Sequence, residues 1–433
     1  MTVRETESDE RKQRTKELSA AITERFDFLT LMDTGEMFVK DGGVYRTGPA
    51  ERMIESEVEL EEPNETNNFA KEVIGHVRRS TYVPSSTFDA DLDIVNLENG
   101  LYRLSAGRLE PHGPEYASRI QIPVRFDPKA TCPKIMRFLK EVLPNPDDVV
   151  NVLEDAAYAL IRDTRFQKAF MYIGNGSNGK TTWLQTLNAL LGRENVANDS
   201  IHDLGIGRFG AGNIEGKLAV IYPDIANAEI TLTGKLKAII SGDRITVERK
   251  GIQGHPITPF AKLYYAANAL PVVSDDSDAW FRRWRITAWP VQVDSEKQDP
   301  NLLSGLTTPQ ELSGLFNVLA AFARRLIRQG GFSYDATIKQ TREEWGNRSN
   351  VIRAFVSKCL EVQKDGGREL ACPSADVYSA YTKFCLDQNF TPKKQTGFVE
   401  ELKTVAVVRS ENARIGGRIV KVLKGVALKE AGL

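Results

Sequence analysis

The stretch FMYIGNGSNGKT, residues 170–181, decides the fold of the central part of this chain. Its four apolar residues predict a buried strand, and the next eight match the phosphate-loop pattern G-x-x-x-x-G-K-[ST]. Leu184, Leu187 and Leu191 then recur at helical spacing, and Gly192 stands where the helix is expected to end. This order predicts backbone N–H groups that surround a phosphate at a helix N-terminus.

The predicted phosphate loop contains a cation and a hydroxyl beside its glycines. Lys180 is expected to reach the β- and γ-phosphates of a nucleotide, and the Thr181 hydroxyl is expected to hold Mg²⁺. The full candidate set is Gly174, Asn175, Gly176, Ser177, Asn178, Gly179, Lys180 and Thr181. The loop alone leaves the reaction open, because small-molecule kinases, GTPases and motor ATPases all use one.

A second apolar strand, LAVIYPD at 218–224, ends in an acid. This form is typical of a Walker B strand, whose carboxylate binds the water shell of Mg²⁺, and it makes Asp224 the candidate. A core strand followed by a turn aspartate is the alternative. Many ATPases place a second acid beside the first, but here the neighbours are Pro223 and Ile225. The hydrolytic base is therefore open, with Glu229 as a possible substitute.

Two further segments carry polar groups suited to phosphate chemistry. A third strand, 261–268, ends in Asn268, which could orient an attacking water or could simply form a turn. In AWFRRWRI, 279–286, arginines stand beside aromatic residues. Arg282 or Arg283 could reach the γ-phosphate of a neighbouring subunit, unless they are ordinary surface charges.

Between these strands, residues 241–256 predict a β-hairpin with a basic turn at Arg249 and Lys250. A cationic tip suits contact with a nucleic-acid backbone without base readout. A solvated hairpin with no partner is the alternative interpretation.

The overall composition limits the classes of protein. Across 433 residues, Lys plus Arg is 57 and Asp plus Glu is 58, so a nucleic-acid site must be a local patch. No apolar run approaches the roughly 20 residues of a membrane span. Four dispersed cysteines without a CxxC pair, and only four histidines, argue against zinc and favour a reducing compartment. We therefore expect the interior of a host cell.

The rest of the chain divides by composition. We expect a solvated helix over 1–25, small hairpins over 26–45, and an acidic linker or exposed loop over 55–68. Hairpin turns are predicted at Asn99-Gly100 and 105–107. The expected units are a charged N-terminal region with hairpins (1–89), an accessory region (90–163), the core (164–300), a helical connector (301–349) and a C-terminal unit (350–433).

The C-terminal unit combines helical spacing with two strand-like runs, 405–409 and 418–423, around a turn at 415–417. Helices followed by a hairpin suggest a winged helix. Segment 391–433 has nine basic and four acidic residues, a surplus that favours DNA contact. A basic oligomerisation or docking module is the alternative.

The central motifs together resemble the superfamily 3 helicases, with the nearest likeness to the phage, plasmid and poxvirus primase–helicase family. The carrying segments, in the family's order, are GNGSNGKT (174–181), LAVIYPDI (218–225), SGDRITVERKG (241–251), LYYAANALP (263–271) and DDSDAWFRRWRI (275–286). The likeness extends upstream through NLENGLYRL (96–104), LEPH (109–112) and FDPKATCPKIMRFL (126–139).

Apolar strands alternate with helices over about 165–292, which predicts an α/β fold with a mainly parallel sheet. The resemblance implies that this core is of the AAA+ type, and we expect a mixed α+β N-terminal region before it and the winged-helix-like domain after it. The resemblance also implies a ring-forming, commonly hexameric ATPase, with ATP and Mg²⁺ as cofactors, that moves 3′ to 5′ on single-stranded DNA. Duplex or origin DNA and a separate primase are further expected partners, and a membrane is not.

The resemblance also assigns roles by motif position. The nucleotide residues are Lys180 and Thr181 for phosphate and Mg²⁺, Asp224 as Walker B acid, Asn268 as sensor, and Arg282 or Arg283 as the finger acting in trans. The pore-hairpin residues are Arg249, Lys250 and His255. Lys237 falls near a position that can contact nucleotide across subunits.

Two departures from the family pattern leave rival functions open. The Walker B element has one acid, so a DNA-binding initiator or loading scaffold that uses ATP only for assembly is possible. A small-molecule phosphotransferase on the same loop is a second rival, opposed by the arginines and the basic hairpin. The second departure concerns the primase or primase-polymerase domain that family members often carry upstream. Here about 90 residues precede the matched region and show no catalytic acid triad, so we expect no primer synthesis.

Overall fold

The computed structural model describes residues 3–113, 115–207, 210–226, 228–249, 252–294, 296, 298–363, 369–387, 392–415 and 418–429. Within these residues no helix is both long and apolar enough to cross a membrane.

The N-terminal region is a small α+β unit. Its elements are α1 (Val3–Arg25), β1 (Phe28–Leu31), β2 (Met37–Asp41), β3 (Val44–Arg46), α2 (Ala50–Glu61), α3 (Asn67–Ser80) and β4 (Tyr82–Val83), and a 3₁₀ turn follows at Ser85–Thr87. The sheet order is β3-β2-β1-β4, and the predicted hairpins over 26–45 are confirmed. The predicted helix over 1–25 is also confirmed, but one of its faces is buried through Ser19 and Ile22.

The acidic linker expected over 55–68 is wrong for most of its length. Helix α2 continues to Glu61 and α3 begins at Asn67. Ile54 and Val58, one helical turn apart, are buried in the same apolar cluster as Phe69 of α3. The acids therefore form the solvated face of an amphipathic helix.

The accessory region joins a three-stranded meander to two helices. Its elements are β5 (Ile94–Leu97), β6 (Gly100–Arg103), β7 (Arg108–Glu110), α4 (Pro133–Val142) and α5 (Pro146–Tyr158). Leu97 pairs with Gly100 and Arg103 with Arg108, so both predicted hairpin turns are confirmed.

The centre of the chain is a five-stranded parallel sheet with helices on both faces. Its elements are β8 (Ala169–Ile173), α6 (Lys180–Leu191), β9 (Val196–Ala197), α7 (Ile201–Ile206), β10 (Ala219–Tyr222), α8 (Gly234–Ser241), β11 (Ile245–Arg249), β12 (Ile252–Ile257), β13 (Lys262–Ala267), α9 (Asp278–Phe281) and β14 (Trp284–Ala288), with 3₁₀ turns at Arg193–Asn195 and Gly210–Ile214. The strand order is β14-β8-β13-β10-β9, and every neighbouring pair is parallel. The α/β class and the predicted parallel sheet are confirmed.

Alternate side chains of the central strands enter two separate cores. Phe170 and Tyr172 of β8 pack with α4, α5, α6 and the later helix α11 (Pro309–Gln329). Ala169, Met171 and Ile173 pack on the opposite face with α8 and with three tryptophans, Trp280, Trp284 and Trp345. Both faces are therefore covered, which is the usual state of a parallel sheet.

The C-terminal part begins with α10 (Leu302–Leu306) and α11 and continues through a helical unit with small antiparallel sheets. The further elements are α12 (Ile338–Ser349), α13 (Val351–Cys359), β15 (Leu360–Val362), β16 (Ala371–Pro373), α14 (Ser374–Asp387), α15 (Gln395–Val405), β17 (Arg409–Ile415), β18 (Arg418–Lys424) and β19 (Val426–Leu428). Strands β17 and β18 form a hairpin, as predicted, whose connecting residues 416–417 lie outside the described residues.

The strand predicted at 405–409 is wrong in position. Helix α15 occupies the chain to Val405, and the strand begins at Arg409. Phe398 and Leu402, both buried and one turn apart, hold this segment as a helix against α13 and α14. The apolar run 405–408 is the helix end and a connection, because burial favours helical spacing here over alternation.

Candidate nucleotide and nucleic-acid sites

The phosphate loop turns tightly between β8 and α6. Gly176, Ser177 and Gly179 have φ of +78°, +47° and +84°, which places them in the left-handed region. A Cβ at Gly179 would lie 2.9 Å from the Phe138 ring of α4, whereas one at Gly176 would meet nothing within 4 Å. The loop is thus packed against protein at its end and open at its middle, as a loop that admits a phosphate requires.

Lys180 is folded back into its own loop. Its ammonium donates to the Gly174 carbonyl over 2.6 Å and to Asn178 Oδ1 over 2.8 Å. Asn178 is itself held by donation to the Trp289 carbonyl over 3.2 Å. Burial lowers the pKa of Lys180 to about 8, against an opposing effect of the Asp224 carboxylate. Its two acceptors are neutral, so an anionic ligand would compete well for the ammonium.

Asp224 follows β10 at the carboxyl end of the sheet and is exposed. Its negative charge favours the protonated form of Lys180 and opposes the effect of burial on the Lys180 pKa. Thr181 is exposed in the first turn of α6. A carboxylate and a hydroxyl are hard oxygen ligands of the kind that Mg²⁺ takes together with water and phosphate oxygens. These residues therefore fit the expected metal.

Asn268 lies next to the loop, at the end of β13. The Gly174 N–H donates to the carbonyl of the preceding residue, Ala267, over 3.2 Å. Asn268 is exposed and lines, with loop residues 174–176 and Asn178, an open cleft of about 370 Å³. This position suits a group that contacts the terminal phosphate or its attacking water.

The two candidate arginines have different environments. Arg283 is 7% exposed and donates to Ser241 Oγ over 2.6 and 3.1 Å and to the Ala279 carbonyl. These bonds hold the Arg283 side chain within its own chain and argue against its role as the finger, and the choice between the two arginines stays a prediction. Arg282 is exposed at the end of α9 and remains the candidate.

Arg282 lies at the opposite edge of the sheet from its own phosphate loop. Trp284 pairs with Ala169 at the start of β8, and the loop follows the end of that strand. Five strand residues separate the two edges, a span of roughly 17 Å at 3.3 Å per residue. An arginine at this edge is thus remote from its own loop.

Lys237 is held by an acid within its own chain. Its ammonium lies 2.7 Å from Asp275 Oδ2, and Thr233 donates to the same oxygen over 2.5 Å. These bonds outweigh the burial of the Asp275 carboxyl and lower its pKa far below the ordinary range. The assignment of Lys237 to a nucleotide across a subunit boundary stays a prediction.

The basic hairpin predicted around 241–256 is formed by β11 and β12. Val247 pairs with His255 and Arg249 with Ile252, with a bulge between the two pairs. Lys250 lies outside the described residues, and so does the side chain of Arg249. The His255 Nε2 lies 3.0 Å from Glu215, and its side chain is largely buried, which argues against contact with DNA. The pore role of His255 stays a prediction.

The C-terminal hairpin carries basic side chains on its surface. Arg409, Arg414 and Lys421 are exposed, whereas Lys424 is paired with Glu411 over 3.1 Å and with Glu369 over 3.0 Å. Because Glu369 lies outside segment 391–433, the net positive charge at the surface of this hairpin is smaller than the composition of that segment indicates.

Sequence reasoning missed the second wall of the cleft beside the phosphate loop. This second wall comprises Glu344, Asn347 and Arg348 of α12, Ala354 and Lys358 of α13, and Phe384 of α14. These residues are about 160 or more positions from the loop along the chain, and no motif marks them. One sequence signal could have indicated that α12 packs on the core, namely the aromatic residue Trp345 in an otherwise polar and charged helix.

Three family models match separate segments of the chain. Residues 11–144 match "D5 N terminal like", residues 172–283 match a family of unknown function (DUF5906), and residues 347–416 match "Poxvirus D5 protein-like".

Individual relatives are distant. The chain is 21% identical over 329 residues to "Putative helicase 184R" of Invertebrate iridescent virus 6, a match over 64% of this chain. The chain spans about a third of the length of this curated relative. Two structures of the NrS-1 C-terminal region align over 93% and 94% of this chain and 97% and 98% of theirs, with identities of 12% and 14% and TM-scores of 0.49 and 0.48.

Proposed function

Since this chain belongs to the phage and poxvirus primase–helicase family, we propose that it is an ATP-dependent DNA helicase for the replication of a virus, a plasmid or an integrated element. One observation carries the proposal. The phosphate loop, Asp224 and Asn268 follow the carboxyl ends of three neighbouring parallel strands, β8, β10 and β13. Three groups suited to nucleotide hydrolysis thus meet at one edge of the sheet.

In the proposed reaction, Lys180 exchanges its bonds to Gly174 and Asn178 for phosphate oxygens of ATP. Thr181 and Asp224 would hold Mg²⁺, and the ion would supply positive charge beside the triphosphate. The Asn268 amide orients the attacking water. The hydrolytic base is open, with Glu229 as its candidate.

The remote position of Arg282 supports a ring in which each site is completed by the next subunit. At roughly 17 Å from its own loop by the strand rise, Arg282 would instead contact the γ-phosphate of a neighbour. We propose a homo-oligomer, commonly a hexamer in this family, with an AAA+ core. An arginine acting in trans stabilises the charge of the transferring phosphoryl group.

The hairpin β11–β12 is proposed to line the pore and to contact one DNA strand through Arg249 and Lys250. Contacts to phosphate would make binding weaken with salt. The 3′-to-5′ polarity is taken from the family resemblance. The C-terminal unit is proposed as a winged-helix-like domain for duplex or origin DNA, and a separate primase as a partner. The proposed location is the interior of the host cell.

The test is ATP hydrolysis with and without single-stranded DNA, followed by strand unwinding. Lys180→Ala should abolish hydrolysis. Lys250→Ala should keep basal hydrolysis and lose unwinding, with Lys12→Ala, an exposed lysine of α1, as the matched control. Unwinding by Lys250→Ala at the wild-type rate would remove the hairpin from the mechanism.

The single Walker B acid favours one rival, an initiator or loading scaffold that binds ATP for assembly. The same assay separates the two functions. ATP-dependent assembly without turnover, in the presence or absence of DNA, would support the scaffold and refute the motor.

A further inference from the structure

The cleft beside the phosphate loop has walls from two different parts of the chain. One wall is the loop with Asn268, and the other is the second wall from α12, α13 and α14. A volume of about 370 Å³ falls in the range of small-ligand sites. A nucleotide whose phosphates occupy the loop therefore has to lie against, or next to, the C-terminal helices.

Helix α12 is tied directly to the segment that follows Asn268. The Leu270 N–H donates to the Arg348 carbonyl over 3.2 Å, and the Trp345 indole donates to the Pro271 carbonyl over 3.0 Å. Trp345 is 1% exposed and packs edge-on against Trp280 and Trp284, with ring centroids 5.6 and 5.3 Å apart. The second wall is thus anchored to the core through the segment that carries the proposed sensor.

The second wall brings Arg348 and Lys358 to a cleft whose other wall is formed by the phosphate loop. Arg348 forms an ion pair with Glu344 of its own helix. Lys358 is exposed in α13 and forms no ion pair with the part of the chain that the structure describes. A lysine that has no acid partner among the described residues and lines a cleft beside a phosphate loop is suited to bind an anion there.

We propose that the nucleotide site is composite, and that Lys358 of the C-terminal unit binds the nucleoside triphosphate held by the phosphate loop of the same chain. This inference rests on the proposed nucleotide-binding function and adds a residue and a consequence to it. Bound nucleotide would add a direct link between α13 and the core to the anchor that α12 already provides, and it would therefore restrain α13 further.

The experiment compares Lys358→Ala with Lys383→Ala, an exposed lysine of α14 that does not line the cleft. Equilibrium binding of ATP and ADP is measured by calorimetry on the full chain, and thermal unfolding without nucleotide checks the fold. A charge-assisted bond of about 1.5–3 kcal/mol predicts that Lys358→Ala raises the Kd of ATP roughly ten- to a hundredfold. Lys358→Arg should keep most of the affinity, and Lys383→Ala should match the wild type.

Hydrogen exchange gives a second readout that does not depend on affinity. At saturating ATP, amides of α13 should exchange more slowly in the wild type and in Lys383→Ala, and this protection should be lost in Lys358→Ala. Wild-type Kd and wild-type protection in Lys358→Ala would refute the inference while leaving the proposed function intact. A wild-type protein that binds no nucleotide would refute both.

Discussion

The guanidinium of Arg283 donates two hydrogen bonds to the hydroxyl of Ser241, over 2.6 and 3.1 Å, while the adjacent Arg282 is exposed. Ser241 ends α8, and its carbonyl accepts from Thr164 Oγ1 over 2.9 Å. Arg283 thus fastens α8 and α9 at the edge of the sheet away from the phosphate loop. Of two neighbouring arginines, one has a structural role and the other is exposed to solvent.

Arg282→Ala should therefore lower ATP hydrolysis by the assembled protein about 10³-fold or more, the range of an arginine finger, and should leave the melting temperature unchanged. Arg283→Ala should instead lower the melting temperature, because a buried charged hydrogen bond contributes about 1.5–3 kcal/mol. Hydrolysis rates and thermal unfolding of both variants decide this. The assignment is wrong if Arg282→Ala hydrolyses ATP normally.

Mixing subunits tests whether Arg282 acts in trans. Arg282→Ala subunits keep Asp224, and Asp224→Asn subunits keep Arg282, so a mixed assembly contains some interfaces with both residues intact. We expect the mixture to recover hydrolysis that neither variant shows alone. Absence of recovery in assemblies shown to exchange subunits would contradict action across an interface.

Asp224→Asn alone should retain nucleotide binding and lose hydrolysis by roughly 10²-fold or more, because an amide is a poor ligand for the metal that stabilises the transferring phosphoryl group. ATP affinity and turnover are measured on the same preparation. Glu229→Gln is the matched variant for the open question of the base. If Glu229→Gln is as slow as Asp224→Asn, Glu229 is the base; if it is unaffected, that substitute is excluded.

ATP binding should weaken as pH rises, and it should do so at a lower pH than a lysine with an ordinary pKa would cause. Burial lowers the pKa of Lys180 to about 8 from 10.5, so the ammonium loses its proton between pH 7 and 9. An anion binds the protonated form, so the Kd of ATP should rise by up to about tenfold per pH unit above 8. Binding titrations from pH 6.5 to 9.5 measure this. A flat profile to pH 9.5 would show that Lys180 keeps its charge.

The burial of Lys262 leads us to expect that the free energy of unfolding depends on pH. Lys262 is fully buried at the start of β13, where its ammonium donates to the Ile161 carbonyl over 2.8 Å and lies 4.5 Å from the centroid of the Tyr158 ring. Burial lowers its pKa to about 7 from 10.5. The unfolded chain then holds the proton more tightly, so the contribution of this lysine to stability is most unfavourable below pH 7 and improves as pH rises to 10.5.

The comparison with Lys262→Met isolates that effect, since methionine has a similar length and no charge. Urea unfolding of both proteins at pH 6, 7, 8 and 9 gives the free energy of unfolding at each pH. We expect the wild type to gain on the variant steadily above pH 7. A constant difference over this range would mean that Lys262 has an ordinary pKa or remains charged without penalty.

The sequence predicts correctly those turns and loops whose conformation is set by residues adjacent in the chain. Asn99-Gly100 predicts its turn because few residues other than glycine adopt the conformation of Gly100, whose φ is +151°. The order strand, glycine loop, helix predicts the phosphate loop for the same reason. The prediction of a linker over 55–68 is wrong because the acidic composition reflects the solvated face of a helix. The other face is set by Ile54 and Val58, and their burial depends on α3, which comes later in the chain.

By itself, the sequence determined which groups stand at the ends of the central strands, because a parallel strand and the loop after it are local structures with a strong apolar signal. The tertiary structure alone decided which of Arg282 and Arg283 is exposed, that His255 contacts Glu215, and that Lys358 reaches the cleft from the C-terminal unit. Each of these depends on packing between segments far apart in the chain. Such contacts follow from how buried surfaces fit together, which no short pattern contains.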